Sequence, residues 1–433
     1  MSDSLAVDQT LAVARSTQAV AGLLLLGAAA IVRILLAAPG ASAASSAPWM
    51  AVAVAAWAGA VLLVARGAAL DSRVVFGVSL ALLVVAVARP PHYSRDLWSY
   101  AMYGRILEHY GANPYVRPPA AFGADPLLVR VAHGWRGTLS YYGAGFTVVS
   151  AGIMRVVGTS ALAARLVFQS IAAASLFGAG LVVHRRGASR AALVALVLNP
   201  LLVVWVVNGG HTDALIGLAL LGSVVLVERR PVVAGLCMAA ALLVKVLLGF
   251  AALGMVVWLG RRASRAALAR FTLAAGVPVV VLNALFGLRA TLRPLLHGAR
   301  QHSRASPWVL VLHFHVRSLG PWPAMAVVVV TLALIVGRLD SPSPAGLALA
   351  GAAGYLIAGL YILPWYIGWA MPAAALEWDS ALARLLFVES ALLALAYTAG
   401  ALAVPTAIVL AVAAVAAVGH TLSSRGAAGG KPS

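Results

Sequence analysis

The sequence predicts an all-α integral membrane protein, on three observations. Of its 433 residues, 62% are hydrophobic and only 10% are charged, against roughly a quarter charged in a soluble domain. Apolar runs of about 17–25 residues, enough to cross a ~30 Å hydrocarbon layer as helix, recur from end to end. The strict apolar–polar alternation of a membrane β-barrel is absent.

The remaining charge is used sparingly. The formal net charge is +19, with the basic residues placed singly or in short clusters between apolar runs. That placement sets topology and meets lipid headgroups; it does not read as a nucleic-acid surface. The single cysteine, Cys237, lies inside an apolar run, which excludes an intrachain disulfide and any cysteine-based metal or redox motif.

Taken in order, residues 1–17 read as a short cytoplasmic tail, followed by spans near 19–38, 48–65 and 73–88 that leave Arg66 and Arg73 inside. The first run carries Arg33 and is long for a signal-peptide core. It reads as a retained helix, although the "ASAASSA" after it resembles a small-residue cleavage site. The stretch 89–158 then forms a first large extracytoplasmic loop with interfacial helices. Its last segment, 141–158, must lie on or dip into the outer face, because a crossing there would export the cluster Arg185, Arg186 and Arg190. Spans near 161–183, 191–207 and 213–227 follow. The segment 232–259 is too long for one crossing, and splitting it near Lys245 returns Arg261, Arg262 and Arg265 to the inside. Spans near 267–287, 322–337, 344–362, 365–378, 381–399 and 402–420 complete a single polytopic domain over 1–433. It has about 13–14 transmembrane helices by the positive-inside rule. A second extracytoplasmic basic loop, 288–321, holds Arg289, Arg293, Arg300, Arg304 and Arg317. An anion-binding role explains so many outer arginines; so does a loop long enough to escape the charge bias.

Four places gather chemistry. In "SRDLWSYAMYGRILE", Ser94 can cap a helix and Asp96 can complement its dipole. Leu97, Tyr100, Gly104 and Leu107 follow at the spacing of an amphipathic helix parallel to the membrane surface. Asp96 is then either a first-turn acid or a base held at the membrane–water boundary between Arg95 and Trp98. "NGGHTDA" reads as a tight turn; alternatively His211 and Asp213 face the same outer cavity as Asp96. Lys245 either snorkels to headgroups or pairs with a substrate phosphate, and the split span favours the second. "PWYIGWAMP" is an interfacial aromatic belt, and aromatic, proline-kinked helix ends such as Trp365 and Tyr366 also line sugar and lipid sites. There is no Walker loop, GxSxG, HExxH or CxxC.

The ordered stretches "SRDLWSYAMYGRILEHYGANPY", "GADPLLVRVAHGWRGTLSYYGAGFTVVS", "GTSALAARLVFQS", "LNPLLVVWVVNGGHTDALIGLALL", "ALLVKVLLGF" and "LPWYIGWAMP" resemble the actinobacterial polyprenol-phosphomannose-dependent α-1,6-mannosyltransferases. The resemblance runs from near residue 70 to near 380. Its more specific parts are the D-x-x-x-Y-x-x-x-G-R run and "YYGAGF", where Tyr142-Gly143-Ala144 replaces the family's Tyr-Gly-Pro. It implies a GT-C type bundle in the plasma membrane, multi-pass, with its active site on the extracytoplasmic face. The implied enzyme is an inverting glycosyltransferase moving a sugar, mannose by the resemblance, from a polyprenyl-phosphate donor to a lipid-linked or cell-envelope glycan acceptor. The catalytic acid of the first loop matches Asp96.

Inversion by direct displacement needs one base and positive groups for the leaving phosphate. Asp96 is therefore assigned as the base, with Arg95, Lys245 and an arginine of 289–304 as candidates for the phosphate, Arg293 and Arg300 being counted among the substrate-binding residues. Tyr100, Arg105, Tyr142, Trp365 and Tyr366 are further substrate-binding candidates. His211 and Asp213 are assigned to sugar hydroxyls or a divalent cation, for which no diagnostic metal-ligand set is present. The rival reading is a transporter or flippase of an anionic lipid or lipid-linked sugar, built on a helix broken at Lys245. The gathering of ionisable residues on one face, with no inverted repeat, argues against it.

Overall fold

The computed structural model describes residues 2–37, 43–298, 301–312, 322–337, 343–400 and 403–412, and among these it is helical with no strand. The first helices are α1 (Ser2–Leu35), α2 (Ala43–Ala65), α3 (Ser72–Ala88), α4 (Asp96–Glu108) and α5 (Ala144–Val157). Next come α6 (Ala161–Arg185), α7 (Arg190–Val197), α8 (Asp213–Leu226), α9 (Pro231–Leu242), α10 (Gly249–Arg262) and α11 (Arg265–Leu285). The last are α12 (Leu288–Gly298), α13 (Val309–Leu312), α14 (Trp322–Gly337), α15 (Pro344–Ala358), α16 (Met371–Leu376), α17 (Ala381–Ala399) and α18 (Ala403–Val412).

Helix starts follow from local chemistry. Ser160, Ser189, Ser264 and Ser380 each precede a helix and accept a hydrogen bond from the backbone N–H three residues on, at Ala163, Ala192, Ala267 and Ala383. Each satisfies a donor that the helix itself leaves free. Among the described residues six stretches are long and apolar enough to cross a membrane: Arg15–Leu35, Ser45–Ala65, α6, Arg190–Val207, α11 and α17. Shorter apolar helices, including α3, α8, α9, α14 and α15, stand at other expected spans. Burial sorts them: the Arg190–Val207 stretch is 94% buried and central, whereas α11 is 11% buried and turns its apolar surface outward, as a lipid-facing helix does.

Three expectations change. The stretch 191–207 is not one regular helix, because α7 stops ahead of Pro200 and the chain resumes as a π-type turn over Leu202–Val207. There the Asn208 N–H donates to Val203 O, five residues back. The expected span 365–378 is a 3-10 helix, Pro364–Trp369, followed by the short α16. Pro364 and Pro372 lack the N–H a longer helix would use. The chain is also pressed onto α8, where a Cβ on Gly217 would lie 2.2 Å from Gly368 O. The final expected span, 402–420, lies partly outside the described residues.

The third change concerns α4, which was expected to keep a wet face and instead has Leu97 through Ile106 all buried. Residues 109–143 fold over it. Tyr103 Oη donates to the carbonyls of Thr138 and Leu139 (3.0 and 3.3 Å). Arg105 Nε donates to Asp125 Oδ2 at 2.6 Å with both side chains nearly sealed from solvent. On its other side Gly104 admits the α5 backbone: a Cβ there would sit 2.5 Å from Ser150 O, whereas one on Gly152 would meet nothing within 4 Å. Gly104→Ala is therefore expected to destabilise the protein by about 1–3 kcal/mol, read as a fall in thermal midpoint in detergent, with Gly152→Ala unchanged. Equal midpoints for the two variants would contradict this packing.

Candidate active site

The site is assembled from places where helices stop. The run "ALLVKVLLGF" breaks between α9 and α10, with Lys245 in extended conformation (φ −143°, ψ 117°). A break frees carbonyls that a membrane interior cannot leave bare. Leu243 O accepts from Phe146 N–H at 3.0 Å and Val244 O from Gly143 N–H at 2.9 Å. Only glycine permits this approach: a Cβ on Gly143 or Gly145 would fall 2.4 Å from Leu243 O or 2.7 Å from Leu243 Cβ. That is the structural reason for glycines in "YYGAGF".

A second clamp holds the turn after the π segment. Asn208 Nδ2 donates to the carbonyls of Ala86, Arg89 and Pro90 (2.9–3.1 Å), and Asn208 Oδ1 accepts from His92 N–H at 2.8 Å. Gln169 Nε2 adds bonds to Arg89 O and Asn208 O (3.0 and 2.6 Å). These side chains satisfy the orphan carbonyls at the end of α3 and fix the chain leading into α4 beside His211.

The two clamps bring Asp96, His211, Asp213 and Lys245 together. Lys245 Nζ donates to Asp213 Oδ1 at 2.7 Å, and Trp369 Nε1 donates to the same oxygen at 2.5 Å. The ammonium stands 4.2, 5.3 and 5.9 Å from the ring centroids of Tyr366, Trp369 and Tyr142, so aromatic faces share its charge. The His211 ring stacks on Trp365, centroids 3.9 Å apart. Its Nδ1 shares a hydrogen bond with Tyr100 Oη at 3.2 Å and lies 3.9 Å from Asp96 Oδ2. Ser94 Oγ accepts from the Asp96 N–H at 3.2 Å, one residue off the cap position read from sequence.

These groups border a cavity of about 1150 Å³, mouth included, whose wall contains Asp96, Ser99, Tyr103, Tyr142, Lys245 and Tyr366. Asp96 keeps 20% of its side chain exposed, onto this space. Burial pushes its carboxyl up to about 6, against the pull of Lys245. It is thus ionised at neutral pH and becomes protonated as pH falls through that value. Burial, aided by Lys245, drives His211 well below its ordinary range and keeps the imidazole neutral.

Lys245, Trp365, Tyr366 and Tyr142 join Asp96 on the cavity wall. His211 and Asp213 are fully buried behind it, and the bonds of Asp213 go to Lys245 and Trp369 instead of a ligand. Tyr100 is buried and faces His211. Arg105 is committed to Asp125, because a buried guanidinium needs a carboxylate partner. Arg95 is exposed and opens onto a second pocket. Arg293 is exposed on α12 and absent from the wall, to which its neighbour Leu295 belongs. Arg300 lies outside the described residues. Among the described residues no group of three His, Cys, Asp or Glu side chains could hold a metal ion. Sequence reading missed Ser99 and Tyr103, although they stand three and seven residues after Asp96, the spacing of one helical face. It also missed Trp369, which looked like belt.

Removing the carboxylate of Asp213 would strand the Lys245 ammonium. Asp213→Ala is expected to destabilise by about 3–5 kcal/mol, measured by thermal melting in detergent. Asp213→Ala/Lys245→Met should recover most of that loss. A double variant as unstable as the single would contradict the pairing.

Among curated proteins the chain is similar to alpha-(1->6)-mannopyranosyltransferase A of Corynebacterium glutamicum, 31% identical over 186 residues (42% of this chain, 37% of that protein). It is also similar to the protein of the same name from Mycobacterium tuberculosis, 29% identical over 223 residues (48% of this chain, 42% of that protein). The matches thus span less than half the length of these relatives. No solved structure matches. The family model described as "Alpha-(1->6)-mannopyranosyltransferase, N-terminal domain" matches residues 12–262, a stretch that holds Asp96, Tyr142, His211, Asp213 and Lys245 but not Trp365, Tyr366 or Trp369. With more than half its length matched, this chain belongs to the alpha-(1->6)-mannopyranosyltransferase N-terminal domain family.

Proposed function

We propose that this protein is an inverting glycosyltransferase of the GT-C kind. It sits in the plasma membrane with its cavity on the extracytoplasmic face, the stretches 89–158 and 288–321 forming the outer loops. It moves mannose from a polyprenyl-phosphate donor to a hydroxyl of a lipid-linked or cell-envelope glycan. The observation that carries this reading is the pairing on one cavity wall of a carboxyl and an ammonium, Asp96 and Lys245. The names of the two relatives support mannose as the sugar.

The chemistry needs little more than these two groups. The Asp96 carboxylate takes the proton of the acceptor hydroxyl as its oxygen attacks the anomeric carbon opposite the phosphate. The bond from that carbon to the phosphate oxygen breaks, and its electron pair stays on the oxygen. Polyprenyl phosphate leaves with one more negative charge, which Lys245 stabilises from its aromatic seat. No second carboxylate is required, since a phosphate leaves without prior protonation. Tyr142 and Tyr366 exclude water around Lys245, and Met325 and Val328 of α14 offer an apolar wall to the first isoprene units.

The test is transfer of radiolabelled mannose from polyprenyl-phosphomannose into a membrane glycolipid extract by the purified full chain. Wild type is expected to transfer, and Asp96→Asn to lose about 10²–10⁴-fold in rate while retaining donor binding. Absence of transfer across several acceptor extracts would refute the enzyme. Undiminished transfer by Asp96→Asn would refute the base.

A further inference from the structure

Arg95, turned away from the cavity, does not point into empty solvent. With Arg130, Arg165, His92 and Trp98 it lines a second pocket that also takes in Ala161 and Leu162, the first turn of α6. No carboxylate lines this pocket, and among the described residues none of the three arginines meets one. Arg165 is buried and fixed: one of its guanidinium nitrogens donates to Val87 O and Gln169 Oε1, both at 3.0 Å. Arg130 stacks its guanidinium 5.1 Å from the Trp98 ring centroid. The side-chain cap of α6, Ser160, takes only the Ala163 N–H, so the positive end of a 25-residue helix adds to three uncompensated cations. Planar guanidiniums beside helix N–H groups match the oxygens of a phosphate.

The position names the carrier. The pocket lies where α3 ends and α6 begins, both apolar helices, which is headgroup level for a chain crossing a bilayer. Leu162, on its wall, is 60% exposed, an apolar side chain that suits acyl or prenyl tails and not water. We propose that this pocket binds the phosphate of a membrane lipid. Residues 94–98 form the partition: Ser94, Arg95 and Trp98 face the pocket, while Asp96 faces the cavity. The proposal stands apart from the transfer chemistry, since its readout is binding.

The test uses the purified, delipidated full chain and native mass spectrometry of retained phosphatidylglycerol, with inorganic phosphate as competitor. Arg95→Gln/Arg130→Gln, which changes exposed side chains and spares Arg165, is expected to weaken phosphatidylglycerol retention on the order of tenfold. Arg155→Gln/Arg289→Gln, removing equal charge from exposed positions elsewhere, should leave retention unchanged. Displacement of the lipid by inorganic phosphate identifies a site that reads phosphate alone; resistance to it identifies one that also needs the lipid tails, and either supports the pocket. Equal loss in both double variants, or none in the first, overturns it.

Discussion

The buried pair between Lys245 and Asp213 is the interaction on which the site depends. A lone ammonium or carboxylate inside a membrane protein is costly, and each of these is tolerated because the other sits 2.7 Å away. The pair also ties together three places where regular helix fails: the break between α9 and α10, the turn that starts α8, and the 3-10 segment carrying Trp369. Gly143 then docks α5 onto the same break through Leu243 and Val244. The cavity wall is therefore made of chain interruptions stapled to one another, which is how polar groups gather in an otherwise apolar bundle.

That arrangement divides two carboxylates by role. Asp213 spends its charge on Lys245 and on the indole of Trp369, with no exposure. Asp96 has no ion pair that close among the described residues: a neutral imidazole lies 3.9 Å off, Lys245 and Ser94 act on it more weakly than burial does, and it borders the cavity. Different partners and different exposure are how one site separates structure from chemistry. Lys245 touches both sides, since it pairs with Asp213 and also lines the cavity beside Tyr142 and Tyr366.

Much of this was legible in the residues themselves. Hydropathy marked the membrane class, the excess length of 232–259 located the break at Lys245, and the scarcity of charge drew attention to Asp96. The resemblance named the family that residues 12–262 match. What could not be read was pairing across distance. Asp125 lies 20 residues beyond Arg105, in a loop without periodicity, so the guanidinium of α4 looked free for substrate. The surface helix expected from Leu97, Tyr100, Gly104 and Leu107 proved buried, because the loop over it has no pattern that declares its fold. The segment 365–378 scores as a span by hydropathy, yet its two prolines and the close contact at Gly217 decide otherwise. Helical direction also misled at Arg95, adjacent to Asp96 in sequence but facing another pocket, as neighbours on a helix do.

The pH dependence of transfer tests the central claim, that Asp96 is the base in a partly dry cavity. Its raised value, about 6, predicts a rate that is flat above neutrality, bends near that value and drops about tenfold per pH unit once the pH is below it. In Asp96→Asn the residual rate should lose that limb. A wild-type profile flat through this range, or the same acid limb persisting in Asp96→Asn, would contradict the account.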